Sequence, residues 1–287
     1  MRLSRTPMWR IDRPAITVHD VATQCAAGVR DSAFARRIRS SRANLTANSL
    51  RLSAAHDSDR LHDLDPDHFE VSDLTDAEMK KIYKTQLARS GRPARSSYDE
   101  LISGALRNLC TYCQYGVANT LDHFVPKDVV AGLAIEPLNL IPACSRCNHV
   151  LGSSVADGYD DQFLYPYGAP SLGRWLWAEL LETEPVSVRF VARPHPGLAP
   201  TVQSRVTFQF RQLKLGQLFA VVSATDLAEM RETLTANFSD GCADDVRGHL
   251  RDTARILFGV DENNRRAVLF EALADNDWYC EGGYSSL

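Results

Sequence analysis

Four of the seven cysteines in this chain fall into two Cys-x-x-Cys pairs, Cys110 with Cys113 and Cys144 with Cys147. Each pair is a tight knuckle that presents two sulfurs to one tetrahedral ion. Two knuckles together make a closed four-sulfur site with no position left for water, which is the chemistry of structural zinc (Zn2+) rather than catalytic zinc. The 30 residues between Cys113 and Cys144 exceed the roughly 15–20 of an ordinary zinc ribbon. The excess carries Asp122, His123 and Asn139, and Asn148 follows directly on Cys147. Cys25, Cys242 and Cys280 are scattered and read as buried thiols.

The second set of polar residues suits phosphodiester hydrolysis. That reaction needs an activated water, a cation at the scissile phosphate and rigid placement of both. Asp122 offers a hard oxygen ligand suited to Mg2+ or Mn2+. His123 can take a proton from water near neutral pH. Adjacent strand residues point to opposite faces, so a bend or twist must bring the two together. Asn148, on the first turn of a helix whose start the zinc would hold, can supply a second oxygen ligand. Asn139 can bond the backbone or the imidazole and so fix His123.

The sequence also contains a control. Asp67-His68-Phe69 repeats Asp122-His123-Phe124 without cysteines or spaced asparagines nearby, and it reads as surface loop. Asp-His alone therefore means little; the whole constellation carries the reading. The order Cys-x-x-Cys, Asp-His, Asn-Leu, Cys-x-x-Cys-Asn resembles the HNH endonuclease family, with its ββα-metal fold, over residues 105–165. The resemblance implies that His123 is the general base, that Asp122 and Asn148 bind the catalytic Mg2+ or Mn2+, and that Asn139 orients the hairpin loop. It implies that Cys110, Cys113, Cys144 and Cys147 bind the structural zinc, and that the products carry 5′-phosphates. Many relatives have a lysine a few residues after the Cys-Asn pair. Here Leu151 and Gly152 stand in that neighbourhood, so the phosphate contact is either missing or supplied by Arg146, Lys127 or His149. Longer bacterial members, including phage-defence effectors that work beside an ATPase, share the general layout, so a phage-defence role and an ATPase partner are expectations of the resemblance. Two alternatives stay open: a zinc-stapled module that binds nucleic acid or protein without cutting, and a nuclease held silent until a partner releases it.

These residues need elements to position them. Thr75-Asp76-Ala77-Glu78 has the spacing of a capping box and leads into Met79, Ile82, Tyr83 and Leu87 at helical intervals, ending at Gly91-Arg92-Pro93. Ser97-Tyr98-Asp99-Glu100 reads as a second capping box opening a helix through Leu101 and Ala105. Trp175 to Leu181 reads as a short amphipathic helix. Val186–Val191 and Val202–Phe210 alternate and predict a hairpin across Pro194-His195-Pro196-Gly197. Residues 213–275 carry helical periodicity with breaks near Asp240-Gly241 and Gly259. Trp175, Trp177, Phe208 and Phe210 read as core before they read as base-stacking platforms. The Trp278-Tyr279-Cys280-Glu281-Gly282-Gly283 run can dock back on the chain or face a partner. The expected fold class is α+β: mostly helical, with a central ββα-metal module and a C-terminal β-hairpin. Its expected regions are 1–72 (Arg-rich and irregular), 73–168 (helices plus the module) and 169–287 (mostly helical with one hairpin).

With 287 residues and 44% hydrophobic side chains, the chain can bury a core without disulfides. No apolar run approaches the ~20 residues of a membrane span, and Met1 to Arg10 lacks the apolar stretch of a secretory signal; a cytoplasmic protein with no membrane association is expected. The net charge of -4 argues against an extensive nucleic-acid surface over the whole chain. The first 60 residues, however, hold eleven arginines against five aspartates, a local excess of +6, with Arg36, Arg37, Arg39 and Arg42 densest. A solvated arm is the plainer reading, and a phosphate-gripping arm the sharper one. Nucleic acid, DNA favoured, is the expected substrate.

Overall fold

The computed structural model describes residues 8–152, 158–239 and 241–286. The fold is α+β, with two small antiparallel sheets among many helices. The chain divides into two compact units, one of Trp9–Ala169 and one of Pro170–Leu287 with Met8.

The first unit begins with α1 (Val18–Ala27), α2 (Ser32–Ser40) and α3 (Arg42–Asp57). This corrects the expectation of an irregular region over 1–72. The physical reason is local and legible: Thr17 and Asp20 close a capping box on α1, and the Asp31 carboxylate receives the Ala33 and Phe34 amides at the start of α2. The α1 side chains Val18, Val21, Ala22 and Cys25 then fall on one buried face. The arginine run is not a free arm either. Arg37 ion-pairs with Glu78 and donates to the Asp73 carbonyl at 2.9 Å, Arg42 donates to the Arg39 carbonyl at 3.0 Å, and Arg36 and Arg39 stay exposed.

Next come α4 (Asp76–Ile82), which opens on the expected Thr75–Glu78 capping box and runs into a π turn over Tyr83–Leu87, and α5 (Arg95–Ser103). Helix α5 starts two residues before the expected Ser97 cap. Ser97 is buried and donates to Gln24 on α1 at 2.6 Å. The short strands β1 (Thr120–His123) and β2 (Leu140–Ala143) pair antiparallel, with Asp122 opposite Ile141 and His123 opposite Leu140, and α6 (Ser145–Leu151) follows. One core joins the helices to the hairpin through Val21, Leu45, Met79, Ile82, Leu101, Leu121 and Leu140. Asp67-His68-Phe69 lies on a surface 3-10 turn, with His68 exposed and Phe69 buried.

The second unit contains β3 (Leu176–Leu181) and β4 (Ser187–Ala192), then α7 (Pro200–Gln212), α8 (Leu215–Phe238), α9 (Ala243–Phe258), α10 (Arg265–Ala274) and α11 (Asp277–Cys280). The C-terminal hairpin therefore keeps the expected strand over 186–191, as β4, but pairs it with a different segment than expected. Trp175–Leu181 is strand rather than helix, and 202–210 is helix rather than strand. Asn263 receives both the Trp175 and Leu176 amides at 2.8 and 2.9 Å and starts β3. Pro200 sits in the first turn of α7, which suits its fixed φ, and Val206, Gln209 and Leu213 bury at helical spacing. Trp175 is buried against Phe210, and the Arg174 guanidinium lies 3.8 Å from the Trp177 ring centre, so these aromatics serve packing. The Trp278–Gly283 run docks back on its own unit: Tyr279 and Cys280 are buried, and a Cβ on Gly283 would lie 2.5 Å from the Trp278 indole. The expected break at Asp240-Gly241 falls between α8 and α9, and Asp240 itself lies outside the described residues. Among the described residues, no helix is long and apolar enough to cross a membrane.

Candidate active site and metal centre

The first knuckle is built from backbone bonds: the Cys110 amide donates to the Gly116 carbonyl at 2.7 Å, and the Gly116 amide reaches the Cys113 sulfur at 3.4 Å. The second begins where β2 ends. Cys144 caps α6, its sulfur receiving the Cys147 amide at 3.4 Å. The four sulfurs lie within 4.8 Å of one another, all on buried residues. A tetrahedral zinc at ~2.3 Å from each sulfur would set them about 3.8 Å apart, and Cys113 and Cys144 stand at 3.9 Å. Gly116 is required by contact, because a Cβ there would sit 2.9 Å from the Cys144 Cβ. Hydrogen bonds among the four free thiols lower Cys113 and Cys144 and raise Cys110 and Cys147, so the four titrate as one cluster. Donor type, spacing and burial all fit a zinc site. Of the three scattered cysteines, Cys25 and Cys280 are buried as expected. Cys242 is not; it is exposed ahead of α9, where its sulfur meets the Asp245 carboxylate at 3.2 Å.

His123 ends β1 and is held on two sides. Its ring packs edge-on against Tyr83 at 4.4 Å, and its Nε2 lies 3.0 Å from the Ala134 carbonyl. A carbonyl only accepts, so that contact requires Nε2 to carry the proton and leaves Nδ1 as the free acceptor. Burial pushes the imidazole down to about 4, so the ring is neutral at physiological pH and a weaker base than an exposed histidine. Asp122 is also buried, which raises its carboxyl to about 6, and the Tyr112 hydroxyl donates to its Oδ2 at 2.7 Å. Although adjacent on the strand, Asp122 and His123 line one narrow crevice with Tyr112, Phe124, Pro126, Leu151, Gly152 and Phe163. Asp122 is 4% and His123 8% exposed, so the crevice is close-walled.

Asn139 is fully buried and binds backbone, not imidazole. Its Oδ1 receives the Val125 amide at 2.7 Å, and its Nδ2 donates to the Val125 and Leu133 carbonyls at 2.9 and 3.2 Å. It thereby pins the turn after β1 to the segment whose next carbonyl, Ala134, holds His123. Asn148 stands on α6 and donates to Thr120 Oγ1 at 3.1 Å. Thr120 and Asp122 share one face of β1, so Asn148 is fastened to the face that carries Asp122. Of the candidate phosphate contacts, Lys127 lies near the site, lowering both the Asp122 and the His123 pKa. The Arg146 guanidinium reaches toward the Cys147 sulfur at 3.9 Å, and His149 is exposed.

Sequence reasoning missed three residues of this site: Tyr112, Tyr83 and Trp9. Trp9 is buried and donates from its indole to the Tyr112 carbonyl at 2.6 Å. The one visible signal was an aromatic placed inside a Cys-x-x-Cys knuckle.

Residues 110–154 match the family model of HNH endonuclease, and this segment is an HNH domain whose four neighbouring cysteines fit a zinc site. The chain is also similar to protein ea31 of Escherichia phage lambda, with 25% identity over 241 residues covering 78% of this chain and 80% of that protein. No solved structure matches it.

Proposed function

We propose that this protein is a metal-dependent endonuclease that hydrolyses phosphodiester bonds in nucleic acid, DNA favoured. The observation that carries the reading is the state of His123. Its Nε2 is committed to a backbone carbonyl and its Nδ1 is left as acceptor, beside a buried carboxylate in one crevice. In this reading Cys110, Cys113, Cys144 and Cys147 hold structural zinc, and Asp122 and Asn148 hold Mg2+ or Mn2+. When bound, that divalent ion supplies Lewis-acid charge to the scissile phosphate. His123 takes a proton at Nδ1 from the attacking water. A new P–O bond forms as the P–O3′ bond breaks, the departing O3′ takes a proton from solvent water, and the products are a 5′-phosphate and a 3′-hydroxyl. The Ala134 carbonyl keeps the imidazole in this tautomer, Tyr83 packs against its ring, and Asn139 keeps the Ala134 segment in place. Lys127, whose charge is felt by both Asp122 and His123, is a cation available to a flanking phosphate.

The reading is tested with supercoiled plasmid, purified wild type and His123→Ala, in Mg2+, Mn2+ or EDTA, after bound zinc is quantified. Metal-dependent nicking lost in the variant supports it. One observation favours the alternative of a non-catalytic binding module: the near closure of the crevice around Asp122 and His123. Plasmid binding without cleavage, by wild type in either metal, would select that alternative. The family layout also motivates a search by co-purification for an ATPase partner and a role in phage defence.

A further inference from the structure

Tyr112 lies between the two cysteines of the first knuckle, yet its side chain reaches the other metal-binding group of the domain. The backbone around it is pinned at three points. The Thr111 amide donates to the Pro142 carbonyl on β2 at 3.1 Å, the Cys110 amide to Gly116 at 2.7 Å, and the Trp9 indole to the Tyr112 carbonyl at 2.6 Å. The ring is 1% exposed and its hydroxyl donates to Asp122 Oδ2 at 2.7 Å. The Asp122 carboxylate, one residue before the end of β1, can rotate about two side-chain bonds. The carboxylate also takes the His123 backbone amide, and the buried phenol, reaching Oδ2, selects one orientation of the group.

We propose that Tyr112 is a positioning residue: fixed by the thiolate knuckle, its hydroxyl holds Oδ2 of Asp122 and so orients the carboxylate that binds the divalent ion. The staple of the fold thereby sets the geometry of the catalytic ion site. This rests on the reading of Asp122 as an ion ligand. Partners that hold a ligand from behind typically change metal affinity or activity by ~10–100-fold when removed.

The test uses the full-length, zinc-loaded chain and Mn2+ as probe, with free Mn2+ followed by electron paramagnetic resonance. The variants are Tyr112→Phe, Asp122→Asn and the double variant, each with zinc content measured. The expected result is zinc retained in Tyr112→Phe, a Kd for Mn2+ raised about tenfold, and no further loss when Tyr112→Phe is added to Asp122→Asn. In cleavage assays, the same variant is expected to recover its rate at saturating Mn2+. An unchanged Kd in Tyr112→Phe overturns the proposal, as does an equal loss in both backgrounds, which would make the hydroxyl a general structural contact. Loss of zinc from Tyr112→Phe also overturns it, assigning the hydroxyl to knuckle folding. Wild-type Mn2+ affinity in Asp122→Asn alone would instead overturn the reading of Asp122 itself.

Discussion

The chain contains two antiparallel hairpins built on opposite principles. The strands of β1–β2 have four residues each, and almost every position is buried, Asp122 and His123 included. The strands of β3–β4 have six residues each and are mostly half-exposed. Their polar pairing lies at the surface, where Glu179 meets both Arg189 and Arg193. In the second hairpin polar groups can rely on water. In the first, each polar group needs a named protein partner: Tyr112 for Asp122, Ala134 for His123, and Val125 and Leu133 for Asn139. Buried polar groups without partners cost ~1–3 kcal/mol each. The β1–β2 hairpin therefore tolerates few changes, and the β3–β4 hairpin tolerates many.

Cys144→Ser should sharpen the contrast most. Structural zinc is worth ~10–16 kcal/mol in small domains, so folded yield and zinc content should fall together. Full zinc occupancy in that variant, measured by atomic emission, would contradict a four-sulfur site. Asn139→Ala ranks next, because it orphans the Val125 amide and the Val125 and Leu133 carbonyls at once. A loss on the order of 3–5 kcal/mol is expected in urea unfolding; a loss below ~1 kcal/mol would show that the clamp is dispensable.

Glu136 gives a pH test of the same segment. Burial raises its carboxyl from 4.5 to about 7, while its Oε1 receives the Leu138 amide at 3.0 Å. The folded state then holds a proton that the unfolded state has released. Its contribution is fully present below about 4.5 and is lost as pH rises through about 7. Glu136→Gln should flatten that decline by an amount on the order of 1–3 kcal/mol. An identical pH profile for the variant would place Glu136 in contact with solvent. The smallest effect belongs to the other hairpin: Glu179→Ala removes two surface ion pairs, and its thermal midpoint should match the wild type, since such pairs are screened by water and salt.

How much of this was legible in the sequence depended on whether the signal was local. The knuckles, Asp122, His123, Asn139 and Asn148 stand at motif spacing, and helix α4 announces itself with Thr75 and Glu78. The capping box of α1 was equally present, but with Asp20 in place of Glu or Gln, inside an arginine-rich stretch that suggested disorder. Strand β3 hides its period, because Trp175-Leu176-Trp177 is apolar without alternation. On α7, Val206, Phe208 and Phe210 mimic a strand while the residues that bury are Val206, Gln209 and Leu213. Apart from the convergence of the two knuckles, side-chain contacts between segments were not legible. Neither the reach of Tyr112 to Asp122 nor that of Tyr83 to His123, forty residues along the chain, leaves a pattern in composition or spacing.

The most direct test of the central claim is the cleavage of supercoiled plasmid by zinc-replete wild type and His123→Ala in Mn2+. A general base contributes ~10²–10⁴-fold, so the account predicts nicking by wild type that falls by at least a hundredfold in the variant, with zinc retained and the chain still folded at the assay temperature. Undiminished nicking by His123→Ala would contradict it.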